Sequence, residues 1–171
     1  MTTRKSVGTQ DAEPLQSLSF DDLRGSIGKP IGRSSWHLID QPRIAAFADI
    51  TEDHNFIHLD EQRVRAETPF PTTIAHGFLT LSLLSAFAYE AIPPLEGQTT
   101  GINYGFDEIR FLAPVPSGSR TRGNFTLLDL STRPSGHVQF TWRVEVEIEG
   151  QERPALIARW ITLAMMEEAA K

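Results

Sequence analysis

The chain has 171 residues, with 16 basic and 22 acidic side chains and a formal net charge of −6. This length predicts one domain that can fold without a metal or disulfide, and the lack of cysteine excludes thiol nucleophiles and thiolate metal sites. Because the charge is acidic and the basic residues are scattered, we expect no nucleic-acid partner.

The first 14 residues are polar and lack the apolar core of a signal peptide. We therefore expect a flexible arm over residues 1–14, a single domain over residues 15–171, and a cytoplasmic location. The longest apolar stretch, residues 74–92, is interrupted by polar side chains, which indicates a buried helix and no membrane span.

Three short elements are predicted before residue 52. Residues 20–25 form a helical turn that ends at Gly25, and residues 34–39 form a short strand. Asp40 offers an N-cap and Pro42 suits a first helical turn, so we expect a helix over residues 41–51.

The second half of the sequence predicts one helix that is enclosed by other elements (the wrapped helix), followed by strands. Residues 73–92 are apolar on nearly every face and precede two prolines, which favours a single buried helix. Strands are predicted over residues 101–112, 118–130, 138–148 and 155–166. In residues 138–148, apolar and polar residues alternate with a period of two. This order predicts an α+β fold in which an antiparallel sheet curls round the helix.

A polar segment just after the predicted helix end contains the candidate catalytic pair. Asp53 and His58 lie five residues apart across a predicted turn, so both can face one cleft. A carboxylate and an imidazole that hold one water form a proton-transfer pair suited to hydration of a double bond. The same residue types also serve as turn formers and helix caps, and spacing alone favours that structural interpretation.

Metal binding is a rival interpretation of the same segment. The ligand-type side chains are Asp53, His54, His58, Asp60 and His76. They lack the histidine spacing of the zinc protease motif and the alternating carboxylates of a calcium loop, so we expect no metal. A Gly-x-Ser-x-Gly elbow and a glycine-rich phosphate loop are also absent from the sequence.

The predicted start of the wrapped helix offers a site for a polarised oxygen. Free backbone N–H groups and the positive end of the helix dipole meet there, and Gly77 would let an oxygen approach closely. The alternative is that Gly77 only permits tight packing. We favour function for the Gly77 amide and a structural role for His76.

Three segments of the chain together resemble the MaoC-like dehydratases, and more narrowly the nodulation-protein-N-like branch of the R-specific enoyl-CoA hydratases. The segments are FADITEDHNFIHLD (47–60), TIAHGFLTLSLL (73–84) and INYGFDEIRFLAPV (102–115). The resemblance runs from Gln41 to the C-terminus. It implies a hot-dog fold that forms a homodimer, and a cofactor-free hydratase of fatty acid metabolism acting on a small-molecule acyl thioester.

The resemblance also implies roles for individual residues. Asp53 and His58 match the catalytic pair of the family, and Gly77 falls where a backbone donor holds the thioester carbonyl. The remaining substrate-binding positions are Ser82, Asn55, His76, Asn103 and Arg110. Of these, Asn103 and Arg110 fall on the strand that lines the acyl tunnel in relatives.

Two positions depart from the family pattern. Glu52 stands where glycine usually precedes the catalytic Asp, and Phe56 stands where proline usually follows the Asn. Two alternative functions are kept. The fold that the resemblance implies also hosts acyl thioesterases, which would hydrolyse the thioester, and the departure at Glu52 leaves open a catalytically silent protein that binds acyl thioesters.

Overall fold

A computed structural model describes residues 15–167; the predicted arm of residues 1–14 lies outside the described residues. The elements in chain order are α1 (Phe20–Gly25), β1 (Pro30–Arg33), β2 (His37–Ile39), α2 (Gln41–Thr51), α3 (Phe56–Leu59), α4 (Glu61–Glu67), α5 (Gly77–Ser82), α6 (Leu84–Ala91), β3 (Gln98–Phe111), β4 (Ser119–Thr132), β5 (Val138–Ile148) and β6 (Leu156–Met166).

All six strands join one antiparallel sheet. Its order is β1-β4-β5-β6-β3, and β2 also pairs with β4. The four long strands match the predicted ones to within a few residues, and the predicted α+β plan is confirmed. Strand β3 follows the helices directly but pairs with β6, so the last strand of the chain lies inside the sheet and β3 forms an edge.

The alternating pattern of β5 defines the inner face of the sheet. Its apolar side chains at even-numbered positions are buried, and Val144 and Val146 are fully so. They share the core with Phe87 of α6, which is also fully buried. Burial of large apolar side chains on both the strand and the helix contributes roughly 1.5–3 kcal/mol for each such residue. This burial holds α6 against the sheet.

Close contact between β1 and α6 depends on one glycine. A Cβ atom added at Gly32 would lie 1.9 Å from the carbonyl oxygen of Ala91 in α6. Because backbone atoms cannot yield by that distance, only glycine lets the strand approach the helix here. Gly32 is therefore a packing glycine.

The prediction of a single helix over residues 73–92 is wrong in two respects. The helical part begins at Gly77, and it is divided into α5 and α6 at Leu83. The residues before Gly77 run as extended chain, since the Ile74 N–H donates to Ile57 and the Ala75 N–H donates to Val115. These bonds to distant carbonyl groups replace the intrahelical bonds that the apolar sequence predicted.

The first half of the chain contains more structure than the sequence indicated. Helices α1 and α2 have the predicted bounds, with Asp40 as the N-cap of α2. The strand predicted over 34–39 is limited to β2, and β1, α3 and α4 were not predicted. None of the helices within residues 15–167 is long and apolar enough to cross a membrane.

Candidate active site

The turn that carries Asp53 begins where α2 ends. Glu52 is the C-cap of α2 and has φ 61°, which makes it the one non-glycine residue with positive φ in the described range. Glycine adopts this left-handed conformation without strain, whereas other L-residues pay roughly 1–2 kcal/mol for it. Glu52 thus adopts the left-handed conformation that glycine favours, and this conformation ends α2 directly before Asp53.

Helix α3 fixes the position of His58. The Asn55 side chain caps this short helix by accepting a bond from the Ile57 N–H at 3.2 Å. Phe56 occupies the first helical position, where proline is also favoured, so the departure from the family pattern suits the same local structure. Asp60 then caps α4 by accepting from the Arg63 N–H. His58 is held between these two caps.

The backbone of His58 is also tied to α2. The Gln41 side-chain amide donates to the His58 carbonyl oxygen at 2.7 Å, and its own oxygen accepts from the Thr73 hydroxyl at 2.5 Å. Gln41 therefore links α2, α3 and the extended chain before α5. Sequence reasoning missed this residue, although its position directly after a helix N-cap was visible.

The ring of His58 is oriented by a backbone carbonyl group. Its Nδ1 atom lies 2.7 Å from the carbonyl oxygen of Ile74. A carbonyl oxygen can only accept, so Nδ1 carries the proton and the neutral ring presents an unprotonated Nε2. No sequence signal could identify Ile74, because every residue type supplies a backbone oxygen.

Burial is the main influence on the ionisation of His58. The residue is only 7% exposed, and this burial lowers the pKa of the imidazole. The bond to Ile74 opposes that effect, nearby His76 lowers the pKa further, and Asp53 raises it. The net shift is downward, so the ring is neutral near pH 7 and its Nε2 can accept a proton.

His76 lies against His58 and is bonded to Asp53. The two imidazole rings stack with centroids 3.6 Å apart and an interplanar angle of 26°. Nε2 of His76 lies 3.0 Å from the backbone oxygen of Asp53, and Phe47 packs against the ring at 5.1 Å between centroids. Its buried Nδ1 has no hydrogen-bond partner among residues 15–167.

The structure thus brings three candidate residues together. A carboxylate oxygen of Asp53 and one ring nitrogen each of His58 and His76 lie within 4.8 Å of one another. Asp53 is exposed, whereas both histidines are buried. The carboxylate consequently lies at the solvent side of the cluster, where it and His58 can hold a water molecule between them.

These three residues form a poor metal site despite their proximity. The lone pairs of stacked rings lie in nearly parallel planes, so the nitrogens of His58 and His76 are not directed at a common point. His54 instead pairs with Asp49 at 3.1 Å, and Asp60 is occupied as a helix cap. The geometry favours proton transfer over metal binding.

Gly77 borders the same cavity as His58. The cavity has a volume of about 350 Å³ and includes Ile74, Thr80 and Phe111 in its wall. As the first residue of α5, Gly77 has an N–H group with no acceptor in the described part of the chain. A Cβ atom here would lie 3.0 Å from two Phe111 ring carbons, so the glycine allows the Phe111 ring to approach the backbone closely.

Four other predicted substrate-binding residues lie apart from this cavity. The Ser82 hydroxyl donates to Leu79 within α5, and Asn55 is the cap of α3. Asn103 donates to the Ser85 hydroxyl at 3.3 Å and lines a second cavity of about 360 Å³ between α6 and the sheet. Arg110 is exposed beside Glu108 on β3. Their predicted roles in binding remain predictions.

Comparison with known proteins gives consistent relatives. The family model described as "MaoC like domain" matches residues 22–147. Nodulation protein N from Rhizobium leguminosarum bv. viciae is 48% identical over 149 residues, which cover 87% of this chain and 92% of that protein. The 3-hydroxyacyl-thioester dehydratase Z of Mycobacterium tuberculosis is 43% identical over 143 residues, covering 84% and 93%.

Solved structures agree on the fold. The unliganded R-hydratase PhaJ1 from Pseudomonas aeruginosa superposes with a TM-score of 0.61 at 26% sequence identity. The alignment covers 85% of this chain and 88% of that structure. The similarity therefore extends over nearly the whole of both chains.

Proposed function

Because this chain belongs to the MaoC-like dehydratase family, we propose that it is an R-specific enoyl thioester hydratase. It adds water reversibly across the C2–C3 double bond of a trans-2-enoyl thioester and gives the R-3-hydroxyacyl product. The hot-dog fold and the general class of hydro-lyase follow from its relatives. The thioester substrate, its acyl chain and the stereochemistry belong to the proposal.

The observation that supports this function most strongly is the pairing of Asp53 with His58. Their acid and base groups lie in one cluster, and the Ile74 carbonyl leaves Nε2 of His58 without a proton. Burial keeps the imidazole neutral by lowering its pKa. A neutral base beside a carboxylate can activate a water molecule by accepting its proton.

The proposed reaction moves one proton from the water molecule to C2 through His58. Nε2 of His58 accepts a proton from the water while the water oxygen attacks C3. Asp53 accepts the second hydrogen bond of the water and stabilises the imidazolium, in line with its raising effect on the pKa of His58. The imidazolium then gives its proton to C2. The C3–O and C2–H bonds replace the π bond, and both residues return to their starting states without a cofactor or metal.

The Gly77 N–H is proposed to bind the thioester oxygen during this step. Attack at C3 moves negative charge onto that oxygen, and a preorganised backbone donor stabilises the charge. Support comes from the free N–H at the start of α5 and from its position on the cavity that contains His58. The Cβ position of Gly77 faces the Phe111 ring at 3.0 Å, so a side chain there would displace Phe111 in the wall of the cavity.

A homodimer is part of the proposal. Strand β3 is an edge of the sheet that pairs only with β6 among the described strands. It exposes Ile102, Tyr104 and Phe106. Open edges with apolar side chains favour pairing with another chain, and a second copy would cover both the edge and these side chains.

Incubation of the purified full chain with crotonyl-CoA and longer trans-2-enoyl-CoAs tests the proposed function. We expect loss of the enoyl-thioester absorbance and formation of the R-3-hydroxyacyl-CoA, identified by mass and chiral chromatography. Release of free CoA without a hydrated product would instead show a thioesterase. Binding of the enoyl-CoA without any turnover would show a silent binder and would contradict the proposal.

A further inference from the structure

His76 is a buried titratable residue that the proposed reaction does not use. It is 3% exposed, and its ring packs against both Phe47 and His58. A histidine that only filled space here would be replaceable by an apolar ring. The hydrogen bond that it makes and the nitrogen that it leaves unpaired both argue for a more specific role.

His76 forms a hydrogen bond with the backbone of Asp53, one member of the proposed catalytic pair. Its Nε2 lies 3.0 Å from the backbone oxygen of Asp53, which can only accept, so Nε2 carries the proton. Asp53 is exposed, and its remaining contact is a long bond of 3.4 Å from the Asn55 N–H to the carboxylate. Of the contacts found for Asp53, the bond from His76 is thus the one that ties its peptide to the buried part of the protein.

One face of the His76 ring contacts His58, the second member of the proposed catalytic pair. Stacking with ring centroids 3.6 Å apart restricts the rotation of the His58 ring. One rigid imidazole therefore touches both partners of the pair, the peptide of Asp53 through its edge and the ring of His58 through its face.

We propose that His76 is a positioning residue that couples Asp53 to His58 and sets the distance between the carboxylate and the imidazole. This inference rests on the proposed function for its effect on turnover. The geometry itself does not depend on which thioester is bound.

Electrostatics supports the same arrangement. The titratable groups that act on His58 are Asp53 at the solvent side and His76 at the stacked face. His76 lowers the pKa of His58, because a second positive charge at that distance is unfavourable. Replacement of His76 by a neutral side chain should therefore raise the pKa of His58.

Two variants of similar polarity separate positioning from simple packing. In His76→Gln the amide nitrogen extends as far as Nε2 and can still donate to Asp53, whereas in His76→Asn it is too short to reach. We expect His76→Asn to lower kcat by on the order of tenfold to a hundredfold with little change in KM. His76→Gln should recover most of this loss. If His76→Asn is unfolded by circular dichroism, His76→Phe replaces it, because the ring fills the site without a donor.

A second readout does not depend on activity. NMR titration of the His58 ring should show a higher pKa in both His76 variants than in the unmodified chain. His54→Gln is the matched control, because His54 is exposed, pairs with Asp49 and follows Asp53 directly. It should leave both kcat and the His58 titration unchanged.

The outcomes distinguish the two proposals. Failure of the unmodified chain to hydrate any enoyl-CoA would contradict the proposed function, and the NMR titration would still test His76. Equal turnover by His76→Gln and His76→Asn, or a His58 titration unaffected by both, would overturn the positioning role.

Discussion

The Nδ1–H of His58 donates to the carbonyl oxygen of Ile74 across 2.7 Å. This bond selects the tautomer in which Nε2 is free to accept a proton. Ile74 is itself held by the bond from its N–H to the Ile57 oxygen, next to His58 in the chain. The proposed base is therefore oriented by the extended backbone that precedes α5. The start of the helix at Gly77, and not at residue 73, bears directly on the proposed chemistry.

The lowered pKa of His58 predicts how activity and stability depend on pH. Hydration needs the neutral ring, so kcat/KM should decline as the pH falls, with a midpoint below the ordinary histidine value of about 6.5. The folded protein binds fewer protons at this site than the unfolded chain, so stability is full above about 6.5 and decreases as the pH falls below it.

Urea unfolding between pH 5 and pH 8 measures the effect on stability. His58→Gln should reduce the dependence of the unfolding free energy on pH below 6.5, whereas His54→Gln, at an exposed site, should retain it. A midpoint of kcat/KM above 6.5 would contradict the assignment of a buried neutral base.

The left-handed conformation of Glu52 predicts a stabilising substitution. Glu52→Gly should raise the free energy of unfolding by about 0.5–1 kcal/mol, because glycine adopts φ 61° without steric strain. Ala46→Gly is the control. Ala46 is exposed in the middle of α2, where glycine lowers stability by roughly that amount. Thermal melting of both variants would reveal opposite signs, and a loss of stability in Glu52→Gly would contradict the strain.

Two glycines should respond differently to replacement by alanine. Gly77→Ala would place a methyl group 3.0 Å from ring carbons of Phe111, which is 49% exposed and can move. We expect a small change in melting temperature and a clear loss of kcat. In Gly32→Ala the methyl group would meet the backbone of Ala91, so stability should fall by at least about 1–3 kcal/mol.

Measurement of kcat per folded molecule and of melting temperature on the same preparations compares these glycines. Preserved kcat in a destabilised Gly77→Ala protein would assign Gly77 to packing and remove the amide from the proposed mechanism.

The open edge of β3 predicts a dimer in solution. Light scattering at micromolar concentration should give twice the chain mass of 19.1 kDa. Tyr104→Lys should favour the monomer, because Tyr104 is 54% exposed on this edge strand. Leu38→Lys, an exposed position on β2 away from that edge, should remain dimeric. A monomeric unmodified chain would count against the proposed assembly.

Local signals explain which elements could be predicted from the sequence. Asp40 and Pro42 define the start of α2 because capping and the φ of proline act within a few residues. The alternation in residues 138–148 likewise defines β5, since one face meets the core. Helix α3 has only four residues and depends on the Asn55 cap, so no periodic pattern could indicate it.

Tertiary contacts explain the elements and site residues that could not be predicted. Apolar composition favoured a helix from residue 73, but Ala75 bonds to Val115, 40 positions away in the chain. The proximity of Asp53 and His58 was expected from their spacing and from the resemblance. The stacking of His76 on His58 depends on how α3 meets the start of α5, which sequence spacing does not contain.

The most direct test of the proposed pair is the steady-state rate of crotonyl-CoA hydration by Asp53→Asn and His58→Gln. Both variants should keep the circular dichroism spectrum of the unmodified chain, because Asp53 is exposed and glutamine approximates the volume of histidine. Each should lower kcat by roughly a hundredfold or more, the range expected for loss of a positioned acid or base. Near-native turnover in either folded variant would contradict the assignment of Asp53 and His58 as the groups that activate water.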